Sequence, residues 1–196
     1  MVQDKKHLDL PESNITYYPD FIASEVATQY FKIFKDTISW QQDSIKVFGK
    51  VYAQPRLTAF YGHGSKSYSY SNITMQPRPF TKDLLEIKQK IEAIDCVTFN
   101  SCLLNLYRNG RDSNGWHADD EKELGQDPII ASISFGEERP FHLRYKRNTK
   151  VKHKIVLGHG SLLLMKGSTQ HHWQHQIPKT TKPIAERINL TFRVLQ

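Results

Sequence analysis

Apolar residues recur at helical spacing from Asp20 to Lys35, at Phe21, Ile22, Val26, Tyr30, Ile33 and Phe34, so this stretch is expected to form an amphipathic helix. A second helix follows Thr81, a suitable N-cap, with Leu84, Ile87, Ile91 and Ile94 as its apolar stripe. Between the two, IKVFGKVY, LTAFYG and SYSYSNITM alternate, are rich in β-branched and aromatic residues and are punctuated by Gly and Pro, a pattern of short strands and hairpins. The opening segment through Pro19 reads as an irregular arm. Beyond Asp95 no helical period remains. FNSCLLNLY, IIASISF, PFHLRY, KIVL, SLLLM, HHWQHQI and RINLTFRVL are strand-like, with Gly158 and Gly160 among the turn residues between them. Many short strands divided by polar turns indicate a jelly roll, giving an α+β chain with a mainly β core and a helical, hairpin-bearing N-terminal half wrapped on it.

Length adds one constraint: 196 residues suffice for one sizeable core and fall short of two, so a single domain is expected over 1–196. There is no internal repeat or low-complexity linker. Lys and Arg number 27 against 20 Asp and Glu, a formal net charge of +7, and the sequence pI is near 9.3. This balance suits an acidic partner, of which nucleic acid is the commonest. Cys96 and Cys102, both beside apolar positions, read as buried thiols of a reducing compartment. No apolar run approaches the roughly 18 residues of a membrane span, and the start MVQDKKHLDL has no signal-peptide core, so an intracellular, membrane-free protein is expected.

The candidate chemistry begins at WHADDEKE, the densest acidic run of this basic chain. In an extended segment His117 and Asp119 point to one side and Ala118 to the other. A His-x-Asp pair with a distant histidine is the ligand set of the facial triad that holds non-haem Fe(II) and leaves coordination positions open. TQHHWQH offers the third ligand. Read as a strand it places His171, Trp173 and His175 on one face, and alternation does not choose between His171 and His175. In RINLTFRVL, Arg187, Asn189, Thr191 and Arg193 share one strand face, with Ile188, Leu190, Phe192 and Val194 on the other. Two inward arginines are costly to desolvate unless an anion meets them, and carboxylates fit guanidinium geometry best, which suggests a dicarboxylic ligand. Asn105 and Tyr107 share a face of LLNLYRNG in the same way. RYKRNTKVKHK, from Arg144 to Lys154, holds six Lys or Arg and no acid, and reads as a phosphate-backbone contact.

NLYRNG, WHADDE, PIIASISFG, HGSLLLM, TQHHWQH and RINLTFR, in this order and spacing, resemble the AlkB family of Fe(II)/2-oxoglutarate-dependent nucleic-acid demethylases. The resemblance runs from about Phe48 onward and is nearest to the subgroup that includes the animal DNA-repair homologues. It implies a double-stranded β-helix, a form of jelly roll, over 96–196, with residues 1–95 as an extension and nucleotide-recognition lid. It makes His117, Asp119 and His175 the iron ligands. It assigns Arg187 to the 1-carboxylate end of 2-oxoglutarate or its neighbouring shell and Arg193 to the far carboxylate, assisted by Asn105, Tyr107 and Asn189. Asp120 and Glu121 become the acids that meet the substrate base and a site arginine; a base methylated at a ring nitrogen is cationic and is favoured by carboxylates. KVFGKVYAQPRLTAFYG resembles the family's recognition hairpins, with Tyr61 lining the base pocket, Phe48 wedging into the stack and Arg56 touching a phosphate or base.

The activity this resemblance implies is oxidative demethylation of 1-methyladenine and 3-methylcytosine in DNA, a repair reaction. Iron, 2-oxoglutarate and O2 are required, and the products are succinate, CO2, formaldehyde and the restored base. An RNA demethylase or a non-catalytic nucleic-acid-binding member of the same fold is the alternative. A monomer is expected, cytoplasmic in a bacterium and nuclear in a eukaryote.

Overall fold

A computed structural model describes residues 4–47, 50–64, 68–70 and 73–196. The chain begins with strands β1 (Lys6–Leu8) and β2 (Asn14–Tyr18), then helix α1 (Ser24–Thr37). Strands β3 (Ser44–Val47), β4 (Lys50–Ala53), β5 (Leu57–Gly62), β6 (Tyr68–Tyr70) and β7 (Ile73–Met75) lead to helix α2 (Lys82–Glu92). Then come β8 (Ser101–Tyr107), β9 (Asn114–His117), β10 (Ile130–Gly136), β11 (Arg139–Tyr145), β12 (Lys152–Leu157) and β13 (Leu162–Lys166). A four-residue helix α3 (Thr169–His172) runs directly into β14 (Trp173–Ile177), and β15 (Arg187–Arg193) closes the fold.

A large sheet has the order β1-β2-β13-β10-β15-β8-β5 and a smaller one β12-β11-β14-β9, and the named strands pair antiparallel throughout. The arrangement fits a jelly roll. Hairpins β3-β4 and β6-β7 form two further two-stranded sheets. β15 lies between β10 and β8 and is buried along its whole length. Its Ile188, Leu190 and Phe192 join Leu104 of β8, Ile133 of β10 and the apolar stripes of α1 and α2 in one core, while the opposite face of the large sheet packs with the small sheet around Leu103, Phe141, Leu143 and Trp173. The alternation expected of RINLTFR is therefore present, and both of its faces are interior.

α2 starts where its pattern indicates: the Thr81 hydroxyl accepts from the Leu84 amide at 3.3 Å, and Leu84, Ile87 and Ile91 are buried. α1 begins four residues later than the apolar spacing suggests. Phe21 and Ile22 are nonetheless buried, held in a turn whose Ile22 amide donates to the Gly160 carbonyl at 2.9 Å. Val26 stays exposed.

The opening segment, the absence of helix beyond Asp95 and the burial of Cys96 need correction. The opening segment is ordered sheet, with β2 paired to β13 over Tyr18–Asn14. Ile15 and Tyr17 feed one core and Tyr18 the other, a two-sided burial that mixes the apolar signal. Because β2 and β5 pair within the same sheet as β8, β10, β13 and β15, strands on either side of residue 95 are hydrogen-bonded together. Helical structure does occur beyond Asp95, in α3 and in a 3-10 turn at Lys122–Leu124. Cys96 is exposed, whereas Cys102 is buried. No helix among the described residues is long and apolar enough to cross a membrane.

Gly160 shows how tightly α1's approach is specified. Its φ is +75°, and a Cβ there would stand 2.3 Å from the Ile22 carbonyl oxygen. The clash is with backbone, which cannot step aside as a side chain can. Gly160→Ala is expected to lower stability by roughly 2 kcal/mol, measured as a shift in the urea midpoint with unchanged slope.

Candidate active site

His117 ends β9 and His175 lies in β14; the register pairs them directly across the two strands. Neighbouring strands lie under 5 Å apart, and the two rings meet edge to face with centroids 4.2 Å apart. Asp119 follows two residues after His117. The donor atoms of His117, Asp119 and His175 all lie within 4.8 Å of one another. The His117 Nδ1 donates to the Gly115 carbonyl at 2.7 Å, and its Nε2 accepts from Asn114 Nδ2 at 3.1 Å, so Nε2 is the nitrogen with the lone pair a metal would take. Phe141 stacks on the His175 ring at 5.0 Å. The Asp119 amide donates to Gln170 Oε1 at 2.9 Å, and Asp119 Oδ1 accepts from Arg193 Nη2 at 2.8 Å.

His171 is not part of this group. TQHH coils into α3 before the strand begins at Trp173, so strand alternation does not extend back to residue 171, and the His171 ring faces Asp127 at 3.1 Å near the surface.

Charge states suit a divalent cation. Burial opposes the Asp119 charge, but Arg193, His175 and His117 outweigh it and hold the carboxyl at about 2. Burial, then the neighbouring His117, pushes His175 down to about 3. His117 is lowered too, again chiefly by burial, against the pull of Asp119. At neutral pH the set is two neutral imidazoles and one carboxylate, which are the protonation states metal ligation requires. Two nitrogens and one oxygen on one side of an open recess fit non-haem Fe(II).

The recess is lined by Asn105, Tyr107, Ser132, Arg187, Asn189, Thr191 and Arg193 besides the three ligand residues. Arg187 Nη2 donates to Ser134 Oγ at 2.9 Å, while its Nε and Nη1 are buried with no hydrogen-bond partner. Burial lowers this guanidinium to about 10, with Tyr107 opposing and Arg139 adding to the shift. A buried guanidinium with undirected N–H groups and no carboxylate paired to it among the described residues is a site for an anion. The two arginines sit in the opposite order to that expected. Arg193 is bonded to the metal-ligand carboxylate of Asp119, and Arg187 is six residues further from it along β15, about 20 Å of strand.

Amides organise the floor. Asn105 Oδ1 accepts from Arg56 Nε at 2.7 Å, and Asn189 Nδ2 donates to Ser132 Oγ at 2.8 Å. Arg139 was not singled out by the sequence. It is buried, donates to the Asp112 and Pro178 carbonyls, and lies 5.6 Å from the Tyr107 ring, which Arg187 also approaches, at 5.2 Å. The signal for it was the alternation of Phe141 and Leu143 carried one step back; Ser132 and Ser134 follow from the same alternation in PIIASISFG.

The substrate residues fare less evenly. Tyr61 packs into the core on the helix side of the large sheet with Leu84 and Ile87, and so does not line the recess. Arg56 is buried and bonded to Asn105 and to the Ser113 carbonyl, which removes it from any phosphate contact and makes it a support of the floor. Asp120 is exposed and paired with Lys146 at 2.9 Å. Glu121 is half-buried at the start of the 3-10 turn. Phe48 lies outside the described residues. The basic run spans the β11–β12 turn and β12. Arg144 lies over the Trp116 ring at 4.3 Å, and Lys152 and Lys154 are exposed.

Acid should destabilise the metal-free protein. The ordinary value of a histidine is 6.5 and His175 stands at about 3, so between them the unfolded chain holds the extra proton and stability falls as pH falls. His117 acts in the same direction, and Asp119, with its folded value below the ordinary 3.8, adds a loss only at lower pH, toward about 2. From pH 6.5 downward His175 alone costs about 1.4 kcal/mol per pH unit, or roughly 2–4 °C of thermal midpoint for each kcal/mol. Thermal unfolding of the metal-stripped protein at pH 7 and pH 5 checks this; equal midpoints would contradict it.

Comparison with known proteins agrees with this geometry. The family model described as the 2OG-Fe(II) oxygenase superfamily matches residues 14–193. Alpha-ketoglutarate-dependent dioxygenase alkB homolog 3 of Homo sapiens is 43% identical over 93% of this chain and 66% of its own length, so the chain spans about two thirds of that relative. DNA oxidative demethylase ALKBH2 of Arabidopsis thaliana is 34% identical over 97% of this chain and 69% of its own length. The solved structure of OsALKBH1 shares the fold, with a TM-score of 0.69 at 16% identity over 96% of this chain and 100% of that one. A His117–Asp119–His175 set beside an arginine-lined recess, in a chain this similar to alkB homologues, makes the protein a member of the AlkB family within the 2OG-Fe(II) oxygenase superfamily.

Proposed function

We propose that the protein is an intracellular, monomeric oxidative demethylase of N-alkylated bases in DNA, of the 1-methyladenine and 3-methylcytosine type, acting in alkylation repair. The observation that carries this reading is the convergence of three metal-ligand atoms within 4.8 Å on a recess that ends at the anion-seeking guanidinium of Arg187. Bound Fe(II), with 2-oxoglutarate and O2, supplies the oxidation that gives succinate, CO2 and a hydroxylated N-methyl group lost as formaldehyde.

The chain's own residues bind, orient and shield. His117, Asp119 and His175 would hold the metal, two nitrogens and one carboxylate oxygen beside the recess. Arg187, with Ser134 and Tyr107, takes the far carboxylate of 2-oxoglutarate, since its unbonded N–H groups are the ones an oxygen anion satisfies. Arg193 keeps Asp119 ionised and adds positive charge beside the carboxylate nearer the metal. Asn105 and Asn189, fixed by Arg56 and Ser132, contribute amide contacts to the same ligand.

A methyl group on a base edge reaches this buried centre only if its nucleotide is flipped out of the helix. Hairpins β3-β4 and β6-β7, within residues 1–95, serve as the recognition lid over the catalytic core of the single 1–196 domain, and Phe48 is the wedge that the family resemblance implies. Asp120 and Glu121 favour a cationic base, and the exposed Arg147, Lys150, Lys152 and Lys154 of the basic segment 144–154 hold the phosphate backbone.

Turnover of methylated single-stranded DNA, duplex DNA and RNA, with succinate and formaldehyde both measured, tests the proposal. Wild type is expected to release the two in equal amounts from DNA, and His117→Ala to release neither. Arg187→Met is expected to raise the KM for 2-oxoglutarate at least about thirtyfold, since stranding one partner of a buried charged pair costs 2 kcal/mol or more. Absence of succinate with every methylated oligonucleotide would refute the enzymatic reading.

A further inference from the structure

Lys146 follows β11 directly, and its backbone N–H donates a hydrogen bond to the His172 carbonyl at 2.7 Å. Its ammonium donates to Asp120 Oδ2 at 2.9 Å and to the Gln170 carbonyl at 2.8 Å. Gln170 in turn accepts the amide of the metal ligand Asp119 through its side chain. Lys146 is therefore pinned within the first layer around the metal corner, and its charge contributes to the depression of the His175 imidazole. Asp120 lies one residue beyond Asp119 on the solvent side and is about half exposed. A carboxylate beside the metal corner is thus already neutralised by a cation of the protein.

We infer that Lys146 is a resident counter-cation, which a positively charged alkylated base must displace from Asp120, and that it thereby narrows the enzyme's preference for cationic over neutral bases. This rests on the proposed role of Asp120 in substrate recognition. The argument is one of exchange. A ring-methylated adenine carries a positive charge and can replace the ammonium at Asp120, releasing Lys146 to water. An uncharged base such as 3-methylthymine has nothing to offer the carboxylate. It enters with the Lys146–Asp120 pair intact and avoids facing a bare negative charge. The pair is half-exposed, so the exchange has the modest magnitude of a surface ion pair, about two- to fivefold in relative affinity.

The test compares KM for two oligonucleotides of one sequence, carrying 1-methyladenine or 3-methylthymine, in wild type, Lys146→Gln, Lys146→Arg, Asp120→Asn and the Lys146→Gln/Asp120→Asn double variant. Glutamine keeps a donor for the Gln170 carbonyl while removing the charge. Lys146→Gln is expected to raise the preference for the cationic oligonucleotide about two- to fivefold. Lys146→Arg should restore the wild-type preference, and the effect should vanish in the Asp120→Asn background. If Lys146→Gln weakens both oligonucleotides by one common factor, the lysine is a phosphate contact and the inference is wrong. An unchanged preference in Lys146→Gln, with a reduced one in Asp120→Asn, overturns the lysine's role alone. An unchanged preference in Asp120→Asn overturns the acid's role in the proposed function instead.

Discussion

The buried ion pair between Arg193 and Asp119, 2.8 Å long, joins the two sheets at the point where chemistry is expected. Arg193 ends β15 in the large sheet, and Asp119 follows β9 at the edge of the small one. Neither charge would be tolerated alone in this interior, because an unpaired buried ion costs several kcal/mol. Together they fix the separation of the layers, keep the carboxylate ionised against its burial, and present its other oxygen to the two histidines. The recess exists because the sheets are closed at this corner and held open further along by polar side chains.

That polar interior is an expensive arrangement. Arg56, Arg139, Arg187 and Arg193 are all buried, and they cluster around one recess. Three find carbonyl or carboxylate acceptors: a side-chain amide oxygen for Arg56, backbone carbonyls for Arg139 and a carboxylate for Arg193. Arg187 has a serine hydroxyl and unbonded N–H groups. A fold selected for stability alone would fill this space with aliphatic side chains. Uncompensated positive charge at the end away from the metal is intelligible as a seat for an anionic ligand, and that end is distinct from the one where Arg193 is engaged.

The metal corner depends equally on an abrupt change of backbone. α3 compresses four residues into one turn and delivers β14 at the register that sets His175 opposite His117. The turn also carries Gln170, which holds the Asp119 amide and whose carbonyl receives Lys146. One helical turn thus positions a ligand histidine, steadies the ligand carboxylate and anchors the cation that faces the neighbouring acid.

Local spacing alone determined much of this protein. The His-x-Asp pair, the two-faced alternation of RINLTFR and the capped stripe of α2 depend on backbone periods of 2 and 3.6, which hold wherever the segment is placed. Alternation says that a strand has two faces; it does not say which layer each face will meet. Tyr61 and Arg56 sit within or beside the alternating strand β5, yet one turned to the helices and the other reached the floor of the recess. β2 had no clear pattern because buried residues fall on both its faces, and pairing with β13 and β1 makes it a strand. Alternation left His171 and His175 open and the family resemblance chose His175, whereas the placing of Arg193 rather than Arg187 beside Asp119 waited on tertiary structure, because it depends on distances between chain segments that no single segment encodes.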